Sequence, residues 1–512
     1  MKRLALYHTL MILTIFVYSC NKSSHHKSFD ENTLSDISRK IKSSKVFNDS
    51  LEIISIIIDS NDLYGKNGIV TNFQEHGKKW EKPVKLIWYQ NGTEIQNINA
   101  GLRLKGNSGR SSESLESNRA VKIHFRKEYS KKKFNYHQDE NHDSTYLIKK
   151  LTLRKSWHCA EELAYIIYNK IGAKTNFSKP IGLFVNGKYY GLYSMLDSQH
   201  KKNFKPTVGN DNFIYYRYRY EKNSLNDIYH YKKLDKLVYN SRNSNNKFIK
   251  IYKSLPIPGF ETIQNMSHKK IGEIVNIELL SRQIAATIIV GNSDWNQGVL
   301  IREDKSDDKR YYWQMIDLDN SFLDMKANKG AIDPFYPWNQ KSIELITSGY
   351  GGIRAEIFSR LIKEDSLYSK YFIDLMFNIL NHELDSSFLK NTIDDYIKIC
   401  KAYDRPNFEE LKSQINQFVQ NRPHFVMQKL TKYFKKDSLY SFQIELPDSI
   451  KYKIDGYSKN GNFNGKYYSG KKIQIQIQKD CLDLFEFKKI VDSKKNIFEI
   501  HINRNIKLTF KD

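Results

Sequence analysis

Two segments of this 512-residue chain hold the residue types that phosphoryl transfer uses. The first is Gly291-Asn292-Ser293-Asp294-Trp295-Asn296. The second, about twenty residues later, is Met315-Ile316-Asp317-Leu318-Asp319-Asn320-Ser321-Phe322. Ile288-Ile289-Val290 leads into Asp294, and Tyr311 to Ile316 reads as a strand leading into Asp317 and Asp319. Carboxylates thus stand at the ends of two short apolar runs. Phosphoryl transfer needs one carboxylate to take the attacking hydroxyl's proton and another to hold a metal on the phosphates. Asp and Asn after a strand are also ordinary turn residues, and either segment alone reads as a turn. The pair, at this spacing, stands against that reading.

An Asp, a short hairpin and a second Asp is also the order in which protein kinases supply these groups. The two segments resemble the catalytic half of the spore-coat-protein-H (CotH) kinase family, whose members carry a Gly-Asn-x-Asp-Trp loop and then a Trp/Phe-Asp-x-Asp-x-x-Phe loop. Other stretches follow in the family's order. Gly68-Ile69-Val70 with Trp80-Glu81-Lys82-Pro83-Val84 resembles its opening strands, and Ala100 to Arg110 its Gly/Ser-rich loop. Val185-Asn186-Gly187-Lys188-Tyr189-Tyr190-Gly191-Leu192-Tyr193 resembles its hairpin, and Phe418-Val419-Gln420-Asn421-Arg422-Pro423 the start of its last helix. The likeness covers roughly residues 50 to 435.

The resemblance implies a role for each site residue. Asp294 is the catalytic base, and Asn296 or Gln297 holds a second metal in a loop shorter than the family's. Asp317 is the metal ligand, and Asp319 shares the ion or orients its water; Mg²⁺ favours one or two carboxylates with phosphate oxygens and water. If the strand has just ended, Asp at i and i+2 can converge on one ion. If it runs on, both face one side of the sheet and one is structural. Gly106, Asn107 and Ser108 form the phosphate loop, where small residues let backbone N–H groups approach, although Gly-Asn-Ser-Gly is also a common turn. Arg119 stands where the family has Lys and keeps the charge without the compact geometry. Lys122 lies three residues on, so alternation turns it to the opposite face; Arg103 and Lys105 are further cations. The acidic partner is Glu161 or Glu162, of which one is expected to face inward. Asp197 stands where the family has Glu.

The elements around these residues follow from periodicity. From Leu51 onward Ile53, Ile54, Ile56, Ile57 and Ile58 read as a strand. Strands continue through Val84 to Trp88, a turn at Asn91-Gly92, Leu102 to Leu104 and Val121 to Phe125. Leu163, Ile166, Ile167 and Ile171 fall on one helical face that Gly172 ends. Two strands follow around Asn186-Gly187. Residues 200 to 260 are charged and Asn-rich and read as an insertion. Helical spacing runs from Ile271 to Val290 and again between 354 and 434. From 440 the pattern alternates strictly, as in Ile473-Gln474-Ile475-Gln476-Ile477-Gln478. The pattern shows an α+β chain; the resemblance implies an atypical protein-kinase-like, two-lobed fold followed by a small C-terminal β-domain similar to Ig-like bacterial surface modules.

Lys2 and Arg3, an apolar run from Leu4 to Val17 and a polar exit make residues 1–20 a signal peptide, too short for a membrane span of about 20 apolar residues. Ser19-Cys20 resembles a lipoprotein acylation site. Residues 21–48 read as a tether, 49–436 as the kinase-like domain (N-lobe about 49–200, C-lobe about 260–436) and 440–512 as the β-domain. Cys159, Cys400 and Cys481 make no disulfide framework or zinc pattern. The net charge of +25 is spread along the chain without a basic helix or nucleic-acid module, which points to a solvated basic surface and no nucleic-acid partner.

The expectation is a lipid-anchored protein of the bacterial cell envelope, periplasmic or on the outer surface. With ATP and Mg²⁺ or Mn²⁺ it would phosphorylate Ser or Thr of a protein substrate that the sequence does not identify. The alternative is an inactive or weak pseudokinase that binds or assembles at the cell surface, favoured by Arg119 and by the scarcity of ATP outside the cell. A metal-dependent hydrolase ranks last, since no His or further Asp cluster supports it.

Overall fold

The computed structural model describes residues 29–47, 52–105, 120–130, 134–137, 145–155, 160–176, 178–197, 213–218, 268–292, 298–303, 307–319, 321–322, 353–403, 408–477, 490–492 and 496–509. The chain divides into two units: Met1–Lys155 with Lys179–Gly209 and Ala402–Asp404, and Ser156–Ser178 with Asn210–Lys401 and Arg405–Asp512. Residues 156–178 therefore group apart from the strands that flank them in sequence.

The β-branched and aromatic runs of the first unit form β1 (Ile53–Ile57), β2 (Lys82–Gln90), β3 (Thr93–Leu104), β4 (Val121–His124), β5 (Phe134–His137), β6 (Thr145–Ile148), β7 (Lys150–Lys155), β8 (Ser178–Val185) and β9 (Lys188–Asp197). Seven of them close a barrel in the order β1-β2-β3-β4-β7-β9-β8, sealed by the parallel pair β1–β8. Closure removes the exposed edges that an open sheet would carry. Both Asn-Gly turns are left-handed at both residues, Asn91 and Gly92 at φ 50° and 71° and Asn186 and Gly187 at 50° and 81°, the geometry that joins antiparallel strands with their natural twist. The Asn186 side chain also braces β1, accepting from Ile58 N (2.9 Å) and donating to Ile58 O (2.8 Å).

The stretch expected as a tether is folded from residue 29 to 47. It carries α1 (Glu31–Lys42), capped by Asp30. Ile37 and Ile41 of α1 pack with Val46 against Ile53, Ile87, Tyr89 and Phe184. Burying two isoleucines contributes about 1.5–3 kcal/mol each, enough to hold a helix whose remaining surface is charged. A one-turn helix, α2 (Ser60–Tyr64), follows β1.

The second unit contains α3 (Ala160–Lys170), α4 (His268–Ile274), α5 (Ile277–Val290), α6 (Ile353–Glu364), α7 (Ser366–Asn378), a π turn (Ile379–Glu383), α8 (Ser386–Ala402) and α9 (Phe408–Tyr433). Its central element is α5, buried at every position from Ser281 to Val290 except Arg282 and packed by α3, α6, α7 and α9. A sheet of β10 (Phe213–Tyr218), β11 (Gly298–Glu303) and β12 (Tyr312–Gln314) stands beside these helices in the order β10-β11-β12. No helix of the described residues is long and apolar enough to cross a membrane.

Residues 439–509 form β13 (Leu439–Glu445), β14 (Lys451–Ile454), β15 (Tyr457–Asn460), β16 (Phe463–Tyr468), β17 (Lys472–Ile477), β18 (Ile490–Asp492), β19 (Ile497–His501) and β20 (Ile506–Thr509). They make two sheets, β16-β13-β20 and β15-β14-β17-β19-β18. The sheets dock on the π turn. His382 stacks on Tyr457 and Phe463 at centroid distances of 4.7 and 5.3 Å and meets Tyr467 OH at 3.1 Å. Asn381 exchanges two hydrogen bonds with the Lys466 backbone, at 2.9 and 3.1 Å. Tyr468 OH donates to Asp374, which also pairs with Lys471.

Candidate functional site

The Asp317 segment begins where a strand stops. β12 ends at Gln314, and Met315 makes one further parallel bridge with Thr175. Asp317 then takes φ 62°, a left-handed conformation in which Asp is among the few tolerated side chains. The strand alternation that would turn Asp317 and Asp319 to one sheet face is thereby broken. Both are half-buried, and the fully buried Ile316 and Leu318 flank Asp317. Phe322 is again left-handed at φ 64°, which is costly for a bulky residue and persists only where surroundings impose it. Here they do: its N–H donates to Val290 O at 2.8 Å and its ring meets Phe418 edge-on at 5.2 Å.

That Val290 carbonyl ends α5, from which the other loop leaves. Gly291 closes the helix at φ 63°, its N–H bonding Ile288 O, and Asn292 N–H reaches back to Thr287 O at 3.2 Å. This is the two-bond ending that a left-handed glycine permits. Asn292 is buried, and the phenol of Tyr168 on α3 shares a hydrogen bond of 2.8 Å with the hydroxyl of Thr287, the residue whose carbonyl takes the Asn292 N–H. Burial pushes that phenol up to about 12, so Tyr168 stays neutral. The backbone just ahead of Asp294 is thus held by α3 and α5.

The loop after α3 is stitched to the strand that carries Asp317. Met315 N–H donates to Lys174 O at 2.9 Å, and the Gln314 amide donates to Thr175 O and to Asn176 Oδ1. Glu161 and Glu162 on α3 are both buried, 3% and 2% exposed, which corrects the expectation that only one faces inward. Helices cover more than one side of α3, and Tyr396 of α8 donates to Glu162 at 2.9 Å.

In the barrel unit Lys122 is half-buried on β4, in register with Arg103 of β3 and Thr152 of β7. Arg103 is committed elsewhere: it donates to His124 Nε2 through Nε (3.1 Å) and sits 3.4 Å from Glu81. Glu81, buried, takes two bonds from Arg126 at 2.7 and 3.0 Å. His124 interrupts the expected alternation of its strand because this network holds it inside. Asp197 ends β9 opposite Leu151.

Asp294 and Asn296, the loop residues Gly106, Asn107 and Ser108, the cation Arg119 and the acylation residue Cys20 lie outside the described residues. Tyr168, Arg354 and Arg422 brace the elements that lead into the loops, and Tyr396 holds Glu162; the sequence singled out none of them as site residues. Arg354 is buried on α6 with its guanidinium against Met315. The only sequence signals were polar residues within apolar helical faces, such as Thr287 in α5, and the Asn421-Arg422-Pro423 run.

Among the described residues no group of three or more His, Cys, Asp or Glu is placed to hold a metal ion. A Mg²⁺ site needs fewer, since one or two carboxylates suffice when phosphates and water complete the shell. Asp317 and Asp319 are half-buried hard oxygen donors on a fixed backbone, and they fit such an ion.

No curated protein matches the chain. Among solved structures it is similar to a Helicobacter pylori proinflammatory kinase, CtkA, at 11% identity over 57% of this chain and 94% of that one; the TM-score of 0.27 is too low to carry an argument. The family model described as CotH kinase protein matches residues 102–436, well over half of the chain. Both carboxylate-bearing loops, α3 and the helices that hold them fall within that span, and the chain belongs to the CotH kinase family.

Proposed function

We propose that this protein is an atypical protein kinase of two-lobed build, transferring the γ-phosphate of ATP to Ser or Thr of a protein substrate at the bacterial cell envelope. The observation that carries the reading is the left-handed Asp317 at the end of β12, with Asp319 two residues on, inside the span that matches the family. Asp294 accepts the proton of the substrate hydroxyl as its oxygen bonds the γ-phosphorus. The bond from that phosphorus to the bridging oxygen breaks, and ADP leaves. Asp317, with Asp319, would hold Mg²⁺ or Mn²⁺, which when bound offsets charge on the phosphates; Asn296 would hold a second ion. Gly106, Asn107 and Ser108 offer backbone N–H groups to phosphate, with Arg119 or Lys122 as the cation. A specific observation favours a second reading, a weak or inactive pseudokinase: Arg119 stands at the family's Lys position, and Glu162 accepts a hydrogen bond from Tyr396.

The test is transfer from γ-labelled ATP with Mg²⁺ or Mn²⁺ by residues 21–512, alongside Asp317→Ala and Asp294→Ala. Asp317→Ala should lose metal-dependent ATP binding. Asp294→Ala should keep nucleotide and lose at least ~100-fold in transfer. Equal transfer in all three would remove the site assignment. No transfer by wild type, with no melting shift on adding ATP and metal, would favour the pseudokinase.

A further inference from the structure

A helix leaves its last four carbonyls without helical partners, and the fate of those in α5 is informative. Asn292 N–H takes Thr287 O, and Gly291 N–H takes Ile288 O. That ending leaves Ile289 O and Val290 O, and two distant parts of the chain supply them. Arg422 of α9 donates from Nε to Ile289 O at 3.0 Å and from Nη2 to Ile288 O. Phe322 N–H takes Val290 O at 2.8 Å. Arg422 is 1% exposed and lies over the rings of Phe418 and Phe425, at 5.4 and 5.6 Å. Phe418 in turn holds Phe322. A cation there also meets the negative end of the helix dipole, and although burial pushes the guanidinium down to about 9, it keeps its charge at neutral pH. Gly291 lies beside the same cluster, and its φ of 63° is what favours glycine there.

The geometry points to Arg422 as a positioning residue that ties the end of α5, four residues before Asp294, to the anchor of the Asp317–Phe322 segment, so that one buried side chain sets how the two carboxylate-bearing loops stand to each other. The fork is what matters. Lys can supply the charge but not two donors at fixed spacing to adjacent carbonyls. The reading of the loops as catalytic rests on the proposed function; the tie itself does not.

Two measurements separate these. Arg422→Lys and Arg422→Met are compared with wild type in transfer kinetics and in amide hydrogen exchange, well below their melting temperatures. In an active kinase, kcat should fall about 10- to 100-fold with KM for ATP within about twofold, the scale of a small misplacement of reacting groups. Exchange should quicken at 287–292 and 317–322 together, and not in the strands of 439–509. If Arg422→Met fails to fold, Arg422→Lys carries the test. Unchanged kcat in a folded variant, or lowered kcat with unchanged exchange in both loops, overturns the assignment. If wild type transfers no phosphate, the kinase reading fails and exchange alone decides: coupled loosening of both loops supports the tie, and loosening of one or neither refutes it.

Discussion

Acidification should remove stability from the barrel unit through one side chain, His124. It is 1% exposed, and its Nε2 accepts from Arg103, whose Nη2 lies 2.8 Å away. Burial first, then the positive charges of Arg103, Arg126, Lys150 and Lys122, push the imidazole down from 6.5 to about 2. In the unfolded chain it takes up its proton near 6.5. Between those two values the unfolded state binds one more proton than the folded state. Stability therefore rises with pH across the window, is complete above 6.5 and erodes as pH falls. Integrated from pH 7 to pH 5, the loss is about 2 kcal/mol. The perturbation is His124→Gln, which keeps an acceptor oxygen near the Nε2 position and cannot take up a proton. The assay is equilibrium urea unfolding at pH 7 and pH 5, following the transition of the barrel. His382, pushed down to about 3 by its own burial, titrates alike in both proteins and cancels. The variant should lose about 2 kcal/mol less than wild type between the two pH values. Equal losses would refute the reasoning, because His124 would then titrate as it does in the unfolded chain.

Gly101→Ala should destabilise the same unit by about 1–3 kcal/mol, read as a lowered melting temperature, because a Cβ there would lie 2.5 Å from both Glu81 Oε1 and Tyr129 Cε2; a variant as stable as wild type would mean the Glu81 network yields freely. Anchoring through Cys20 is checked by the mass of the mature N-terminus: acyl chains on wild type and none on Cys20→Ser support it, and an unmodified wild type removes it.

Much of the fold was legible because backbone preference and local periodicity report it directly. Asn91-Gly92 and Asn186-Gly187 are turns in both the pattern and the structure, since few other residues tolerate two successive left-handed positions. The helical face of Leu163 to Ile171 became α3, and the alternation of Ile473 to Ile477 became β17. The family motifs were equally plain, being contiguous. The stretch 29–47 misled because two buried isoleucines are a weak signal in a charged segment, and only the barrel surface beside them makes a helix worthwhile there.

The sequence by itself determined the family resemblance, through contiguous motifs that carry carboxylates after apolar runs, and the family match over 102–436 agrees with that resemblance. It left open whether the strand ends before Asp317, since a left-handed φ at a non-glycine residue is imposed by neighbours and not encoded locally. It assigned one inward glutamate on α3 where two are buried, because helical spacing counts faces and cannot count the helices that cover them. It placed Arg422 only in a helix start. That its guanidinium completes the carbonyl end of α5 depends on a contact 133 residues away in sequence, and partners at that separation are chosen by packing alone.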